Sequence, residues 1–167
     1  FSRRYSGHTI IIRPHPVENF DPWHKFAREF PNVVVDASGN VHEWILAADA
    51  VVHFNCTTGI EAFYLNVPSI AYRKMKSSAF VQPLPNALSI EAFSIDQVIG
   101  ILDEIIAMNG KYSKLINEDS RLVVAEKNIS GMKGPLASER IADYLSVIDG
   151  NEQPPTEDRE PSVPLIK

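Results

Sequence analysis

The chain has 167 residues, a formal net charge of −5, 44% hydrophobic and 22% charged residues, and a single cysteine. This length provides one domain with a substantial core, and no apolar stretch approaches the roughly 20 residues that span a bilayer. The acidic balance argues against a general nucleic-acid-binding protein, and one cysteine excludes an intrachain disulfide and suits a reducing compartment.

The first half of the chain alternates short apolar runs with segments of helical periodicity. The apolar runs at 8–13, 33–35, 50–54 and 67–72 predict buried strands. Helices are predicted between them, one with Asp21 as N-cap and Pro22 at its first position, one from Val41 to Ala48, and one over 58–66. Such alternation indicates βαβ units and one parallel sheet. The expected fold class is therefore α/β, as a Rossmann-like three-layer domain.

The second half is predicted to be mainly helical. The segment 73–93 contains Pro83 and Pro85 and has no clear period, so it is predicted as an irregular excursion over the ligand-binding edge of the sheet. A strong amphipathic helix is expected after Ser94, its N-cap, and further helices at 113–128 and 138–148. The last helix is expected to turn four apolar residues inward: Ile141, Ala142, Leu145 and Ile148.

The expected domain organisation is one Rossmann-like domain over 1–148 and a disordered tail over 149–167. Four prolines and six charges fall in the last eighteen residues, which is typical of disorder. The chain begins Phe1-Ser2 without a methionine, and we expect it to be a fragment of a longer protein.

Polar residues follow two of the predicted strands at the point where each strand ends. His15 and Pro16 follow the first strand, and Asn55, Cys56 and Thr57 follow the third. Ligands of open α/β sheets bind at the carboxyl edge, and a helix beginning there suits a phosphate. The sequence therefore predicts an anion site, with a monophosphate or diphosphate as its ligand.

Further candidates for this site lie beside these residues. Arg13 would add positive charge, and Glu18 would meet hydroxyl groups of a ligand. Thr58, Gly59 and Glu61 begin the helix after the third strand and are included among the substrate-binding residues. The alternative for Thr58 and Glu61 is a capping box, in which the threonine hydroxyl and the glutamate satisfy the first amides of that helix.

Three segments resemble bacterial surface-carbohydrate biosynthesis proteins: Ile10–Pro16, Ala48–Ala62 and Val67–Ile70. They are similar to the C-terminal, donor-binding half of a GT-B glycosyltransferase, and most of all to capsule and lipopolysaccharide Kdo transferases and bacterial sialyltransferases. Those families carry a His-Pro motif and a downstream Ser/Thr pair that grip the phosphate of a CMP-sugar. The resemblance covers about residues 8–75 by motif, and extends to about 148 by the order of elements.

The resemblance implies roles for four residues. His15 and Pro16 match the first motif, and Thr57 and Thr58 stand where the families often have Ser-Ser. His15 is the implied catalytic residue, because it would stabilise the phosphate of the leaving nucleotide.

The implied partners are a nucleotide-sugar donor and a glycan or glycolipid acceptor, the latter bound through a missing N-terminal domain. Neither nucleic acid nor a cofactor is expected. Since the five histidines show no paired ligand spacing, no metal is expected either. The implied location is cytoplasmic, with peripheral association at the inner face of the cell membrane.

Three alternatives stay open from the sequence. A polyol-phosphate transferase that uses a CDP-alcohol, and a sugar-nucleotide 2-epimerase, would both keep the phosphate-binding edge. The third is a non-catalytic α/β scaffold or interaction domain, in which the polar turn after the third strand serves only to begin a helix. That scaffold would bind no nucleotide.

Overall fold

In a computed structural model, which describes residues 1–74, 81–108, 118–129 and 134–148, parallel strands alternate with helices in a Rossmann-like α/β fold. The strands are β1 (Ile10–Ile12), β2 (Val33–Val35), β3 (Val51–His53), β4 (Ser69–Tyr72) and β5 (Ile90–Ala92). The helices are α1 (Asp21–Ala27), α2 (Val41–Ala47), α3 (Thr58–Tyr64), α4 (Pro83–Ala87), α5 (Ile95–Ala107), α6 (Glu118–Asn128) and α7 (Ala137–Ile148). The chain divides into two compact units, Phe1–Ile116 and Asn117–Lys167.

The strands form two parallel sheets, whereas the sequence predicted one. β1 pairs with β2, with Ile11 opposite Val34, and a second sheet has the order β3-β4-β5. Among the described residues, β1 and β2 therefore pair only with each other and not with the other three strands. The alternation of strand and helix is as predicted.

The three-stranded sheet is covered on both faces, which accounts for the layered core. Ile70 of β4 and Ala92 of β5 pack against Val98 and Ile105 of α5. On the other side, a second cluster joins α2 and α3 through three buried residues: Ile45, Ala62 and Val67. Because strand side chains alternate between faces, the β4 neighbours of Ile70 point away from α5, and Ser69 meets the α4–β5 junction there.

The segment predicted as irregular, 73–93, contains a helix and a strand. Pro83 lies at the start of α4, where its missing N–H costs nothing, and β5 follows after two residues. β5 pairs in parallel with β4 through Ile70 and Ile90, and Arg73 forms an ion pair with Glu91. Prolines interrupt the local pattern, so this strand is recognisable only by its partner.

The helix ends agree with the sequence in one place and differ in two. Ser94 caps α5 by accepting a hydrogen bond from the Gln97 amide at 3.2 Å, as predicted. The N-cap of α1 is Phe20 rather than Asp21. Asp21 is the first residue of the helix, and its amide donates to Asn19 Oδ1. α3 ends at Tyr64 rather than at residue 66, because Asn66 adopts a left-handed conformation with φ of 55°.

An N-terminal turn over residues 1–8 ties β2 to α5. Asn32 donates to the Tyr5 carbonyl at 2.9 Å, and the Tyr5 hydroxyl lies 2.9 Å from Asp103 Oδ1. Arg4 pairs with the same carboxylate, and its hydrogen bond is the main reason that the pKa of Asp103 is lowered. The sequence did not predict this turn.

In the second compact unit, α6 and α7 fall where helices were predicted, but three of the four residues expected to face inward from α7 are exposed, and the side chain of the fourth, Ile148, lies outside what the structure describes. Ile141 and Leu145, expected to face inward, are 60% and 57% exposed, and Ala142 is exposed as well. Helical periodicity places these residues on one face but does not decide whether that face is covered. The predicted tail at 149–167 and residues 113–117 of the predicted helix lie outside the described residues.

Candidate functional site

The turn after β3 begins with a strained residue that is anchored to α4. Asn55 has φ of 46°, in the left-handed region that asparagine tolerates better than most side chains. Its Oδ1 accepts hydrogen bonds from Asn86 Nδ2 at 2.7 Å and from the Gln82 amide at 3.4 Å. Asn86 is itself buried, and its Oδ1 has no hydrogen-bond partner in the part of the chain that the structure describes. The side chain of Asn55 therefore fixes the turn against α4.

The next residues of the turn carry hydrogen-bond donors without acceptors. Thr57 is the N-cap of α3, its side chain makes no capping hydrogen bond, and the residue is exposed. Within the described ranges, the N–H groups of Thr57 and Thr58 have no acceptor. The Thr58 hydroxyl lies 3.0 Å from Cys56 Sγ and is engaged within the turn.

The capping box predicted for Thr58 and Glu61 does not form. α3 begins one residue earlier than that motif requires, so Thr58 lies inside the helix. Glu61 instead approaches His42 of α2, with 3.7 Å between His42 Nε2 and Glu61 Oε2. That carboxylate oxygen is buried and has no hydrogen-bond partner among the described residues. Through its approach to His42, Glu61 contributes to the contact between α2 and α3.

Beneath the turn lies a buried polar network that the sequence analysis missed. Ser89 Oγ donates to the Pro85 carbonyl at 2.7 Å, accepts from Ser69 Oγ at 2.8 Å, and lies 2.9 Å from His53 Nε2. Because its one hydrogen is committed to Pro85, Ser89 must accept from His53 Nε2–H. His53 Nδ1 is then free to accept the Cys56 amide proton, at an N···N distance of 3.4 Å.

Burial lowers the pKa of His53 from 6.5 to about 4, so the ring is neutral near pH 7. The residue is only 7% exposed. A histidine at the last position of a buried strand, followed by a polar turn, was the available signal in the sequence. Its partner Ser89, and Ser69 of β4 that donates to Ser89, lie too far along the chain for spacing to reveal them.

Gly59 is required for this arrangement, rather than for contact with a ligand. A Cβ at this position would lie 2.5 Å from His53 Nε2 and 2.9 Å from Ser89 Oγ. Neither neighbour is free to move, because both belong to the buried network. Any larger residue at position 59 would have to displace the imidazole.

The loop after β1 holds His15 in a defined state. The Val17 amide donates to His15 Nδ1 at 3.4 Å, so the ring proton lies on Nε2, which has no partner among the described residues. Glu18 accepts from the His15 amide at 3.2 Å and from Trp23 Nε1 at 3.1 Å. Pro16 is exposed. The loop therefore presents His15 Nε2–H to solvent and uses Glu18 to keep its own shape.

Arg13 is committed to the loop between β2 and α2. Its two terminal nitrogens donate to carbonyl oxygens of four successive residues, 36–39, at 2.9 to 3.5 Å. Its guanidinium also stacks on Trp44, 5.2 Å from the ring centroid. These contacts account for Arg13 without a ligand.

The structure thus gathers the predicted residues into two groups. Asn55, Thr57, Thr58 and Gly59 lie together after β3, whereas Arg13, His15, Pro16 and Glu18 lie after β1. In the described part of the chain, no hydrogen bond or ion pair joins the two groups. Each group follows the carboxyl end of its strand, as predicted.

Two depressions on the described surface lie elsewhere. One of about 540 Å³ is lined by the N-terminal turn and the end of α5, and one of about 210 Å³ lies between the β1–β2 sheet and α1. The described residues contain no group of three His, Cys, Asp or Glu side chains placed to hold a metal. None of the described helices is long and apolar enough to cross a membrane.

Comparisons with protein-family models, with curated proteins and with solved structures each find no match to this chain.

Proposed function

We propose that this chain is the donor-binding half of a glycosyltransferase of surface-polysaccharide biosynthesis, and that its donor is a nucleotide-sugar of the CMP class. The proposal combines the Rossmann-like fold with the motif resemblance of residues 8–75. The observation that carries it is a set of donors after β3 that have no acceptor among the described residues: two backbone N–H groups at Thr57 and Thr58, and the exposed Thr57 hydroxyl. Phosphate oxygens are the acceptors that such a group of donors suits.

His15 supplies the second element of the proposed site. Because its Nδ1 accepts from the Val17 amide, its Nε2–H is a donor, and it meets no protein acceptor among the described residues. As the bond between sugar and nucleotide breaks, negative charge builds on the departing phosphate, and a fixed donor there lowers the barrier. In this proposal Arg13 supports the site indirectly, because its N–H groups donate to carbonyl oxygens of the loop between β2 and α2.

The acceptor, a glycan or glycolipid, would bind through another domain or a partner chain, in the cytoplasm at the inner face of the cell membrane. The chain by itself should then bind nucleotide weakly and transfer no sugar. A measurable transferase rate from these 167 residues would contradict this division of labour.

The test is isothermal titration calorimetry of the chain with CMP, CDP, UDP and GDP, repeated on His15→Ala and Thr57→Val. Removing one hydrogen bond to a charged phosphate costs about 1.5–3 kcal/mol, so each variant should weaken binding by about tenfold or more. His24→Ala and Thr9→Val are matched controls, because both residues are exposed and neither lies at the carboxyl end of β1 or β3. These controls should bind as the unchanged chain does.

The outcomes separate the candidate functions. Preference for CMP supports the transferase proposal, whereas preference for CDP would favour the polyol-phosphate transferase and preference for UDP the 2-epimerase. If no nucleotide binds, the chain is a scaffold in which the polar turn only begins α3, and the proposal is wrong.

A further inference from the structure

We infer that His53 is a positioning residue, whose ring sets the backbone of the Asn55–Thr58 turn and so aims the donors of the proposed phosphate site. The inference rests on the proposed function for the identity of the ligand. It does not rest on that function for the contact itself, which joins His53 Nδ1 to the Cys56 amide.

The imidazole is held rigidly enough to act as a template. Its Nε2–H is bound by Ser89, which is in turn bound by Ser69 and by the Pro85 carbonyl. Gly59 brings the backbone of α3 so close to the ring that a single added carbon would lie 2.5 Å from it. The hydrogen bond to Ser89, which is anchored on the Pro85 carbonyl of α4, and the close packing from α3 therefore fix the plane of the ring.

The turn needs such a template because it departs from relaxed geometry. Asn55 is left-handed, a conformation that is unfavourable for a non-glycine residue and persists where its surroundings hold it. Asn86 holds the side chain of Asn55 from one side. His53 holds the next peptide, at Cys56, immediately before the N–H groups of Thr57 and Thr58, for which the described residues supply no acceptor.

A buried histidine is a costly way to fill a core position, which is why a purely space-filling role explains it poorly. Burying a polar group is unfavourable unless each polar atom is paired, and both nitrogens of His53 are paired. One of those pairings is to the turn backbone. An apolar residue at position 53 would fill the space but leave the Cys56 amide without its acceptor.

Two conservative variants separate the two nitrogens. In His53→Asn the side-chain oxygen can take the place of Nδ1 and keep the acceptor for Cys56, whereas in His53→Gln the amide nitrogen replaces Nε2 and keeps the bond to Ser89. The readouts are native-state hydrogen exchange at the Cys56 amide by NMR and the dissociation constant for CMP by calorimetry. Loss of one hydrogen bond predicts about tenfold faster exchange and about tenfold weaker CMP binding in His53→Gln. His53→Asn should stay within about threefold of the unchanged chain in both.

Ser69→Ala is the matched control, because it removes a buried hydroxyl from the same network and leaves both bonds of His53 in place. It should lower stability without changing exchange at Cys56 or affinity for CMP. If His53→Gln does not fold, Ser89→Ala releases the ring with a smaller change and should also speed exchange at Cys56.

The results distinguish this inference from the proposed function. If the unchanged chain binds no CMP, the proposed function is wrong, while the exchange rates still decide whether His53 positions the turn. If exchange at Cys56 in His53→Gln matches that of the unchanged chain, or rises equally in Ser69→Ala, the positioning role is refuted even where CMP binds.

Discussion

Replacing Gly59 by alanine tests the buried network most directly. The added Cβ would lie 2.5 Å from His53 Nε2, 2.9 Å from His53 Cε1 and 2.9 Å from Ser89 Oγ, so the ring must move. Overpacking of this kind costs about 1–3 kcal/mol. A displaced ring also leaves buried polar atoms unpaired, at about 1–3 kcal/mol, while alanine in a helix returns up to about 1 kcal/mol. We expect Gly59→Ala to lower the free energy of unfolding by about 3 kcal/mol.

Gly100 provides the matched control for this substitution. It lies inside α5, it is exposed, and an added Cβ would meet no atom within 4 Å. Gly100→Ala should therefore stabilise the chain by about 0.5–1 kcal/mol, through helix propensity alone. Urea unfolding followed by the fluorescence of Trp23 and Trp44 measures both variants in the first compact unit. A Gly59→Ala variant as stable as the unchanged chain would refute the close approach of α3 to His53.

Three further predictions concern stability. Because the pKa of His53 is lowered to about 4, the unfolded state binds a proton that the folded ring does not between pH 6.5 and about 4. As the pH falls from 6.5 to about 4, this difference should lower the free energy of unfolding by about 3 kcal/mol. Urea titrations of His53→Gln should lack that part of the pH dependence. Arg13→Lys should lose about 2 kcal/mol in urea unfolding, since an ammonium group cannot bridge the successive carbonyls; unchanged stability would contradict this. Ser94→Ala should lose about 1 kcal/mol with the cap of α5, whereas a thermal midpoint equal to that of the unchanged chain would show that the cap contributes nothing.

The order of strands and helices up to β4 could be predicted because it depends on local periodicity. Three consecutive valines at 33–35 indicate a strand without knowledge of any partner, and Ser94 followed by a long amphipathic run indicates a capped helix. The strand β5 could not be predicted in this way. It has only three residues, with Glu91 in the middle, and pairing with β4 is what makes it a strand.

The candidate site shows the same division. Polar residues at the ends of β1 and β3 were identified from the sequence, because a strand that ends in asparagine, threonine or histidine is visible locally. The sequence analysis counted Arg13 and Glu61 among the substrate-binding residues, with a capping box as the alternative for Glu61. In the structure each of them contacts a distant part of the chain. A local pattern states which groups are available, and it does not state which of them tertiary contacts have already engaged.

The sequence by itself determined the α/β alternation, the polar strand ends and the glycine at position 59, since each is expressed within a few neighbouring residues. Only the tertiary structure decided that His53 is buried, that its Nε2 carries the proton, and that the glycine is needed to make room for it. Ser89, which settles the protonation of the ring, lies 36 residues away in the chain. Contacts at such separations are made by the packing of β4, β5 and α4 around the strand, and no periodicity of residues 50–60 encodes them.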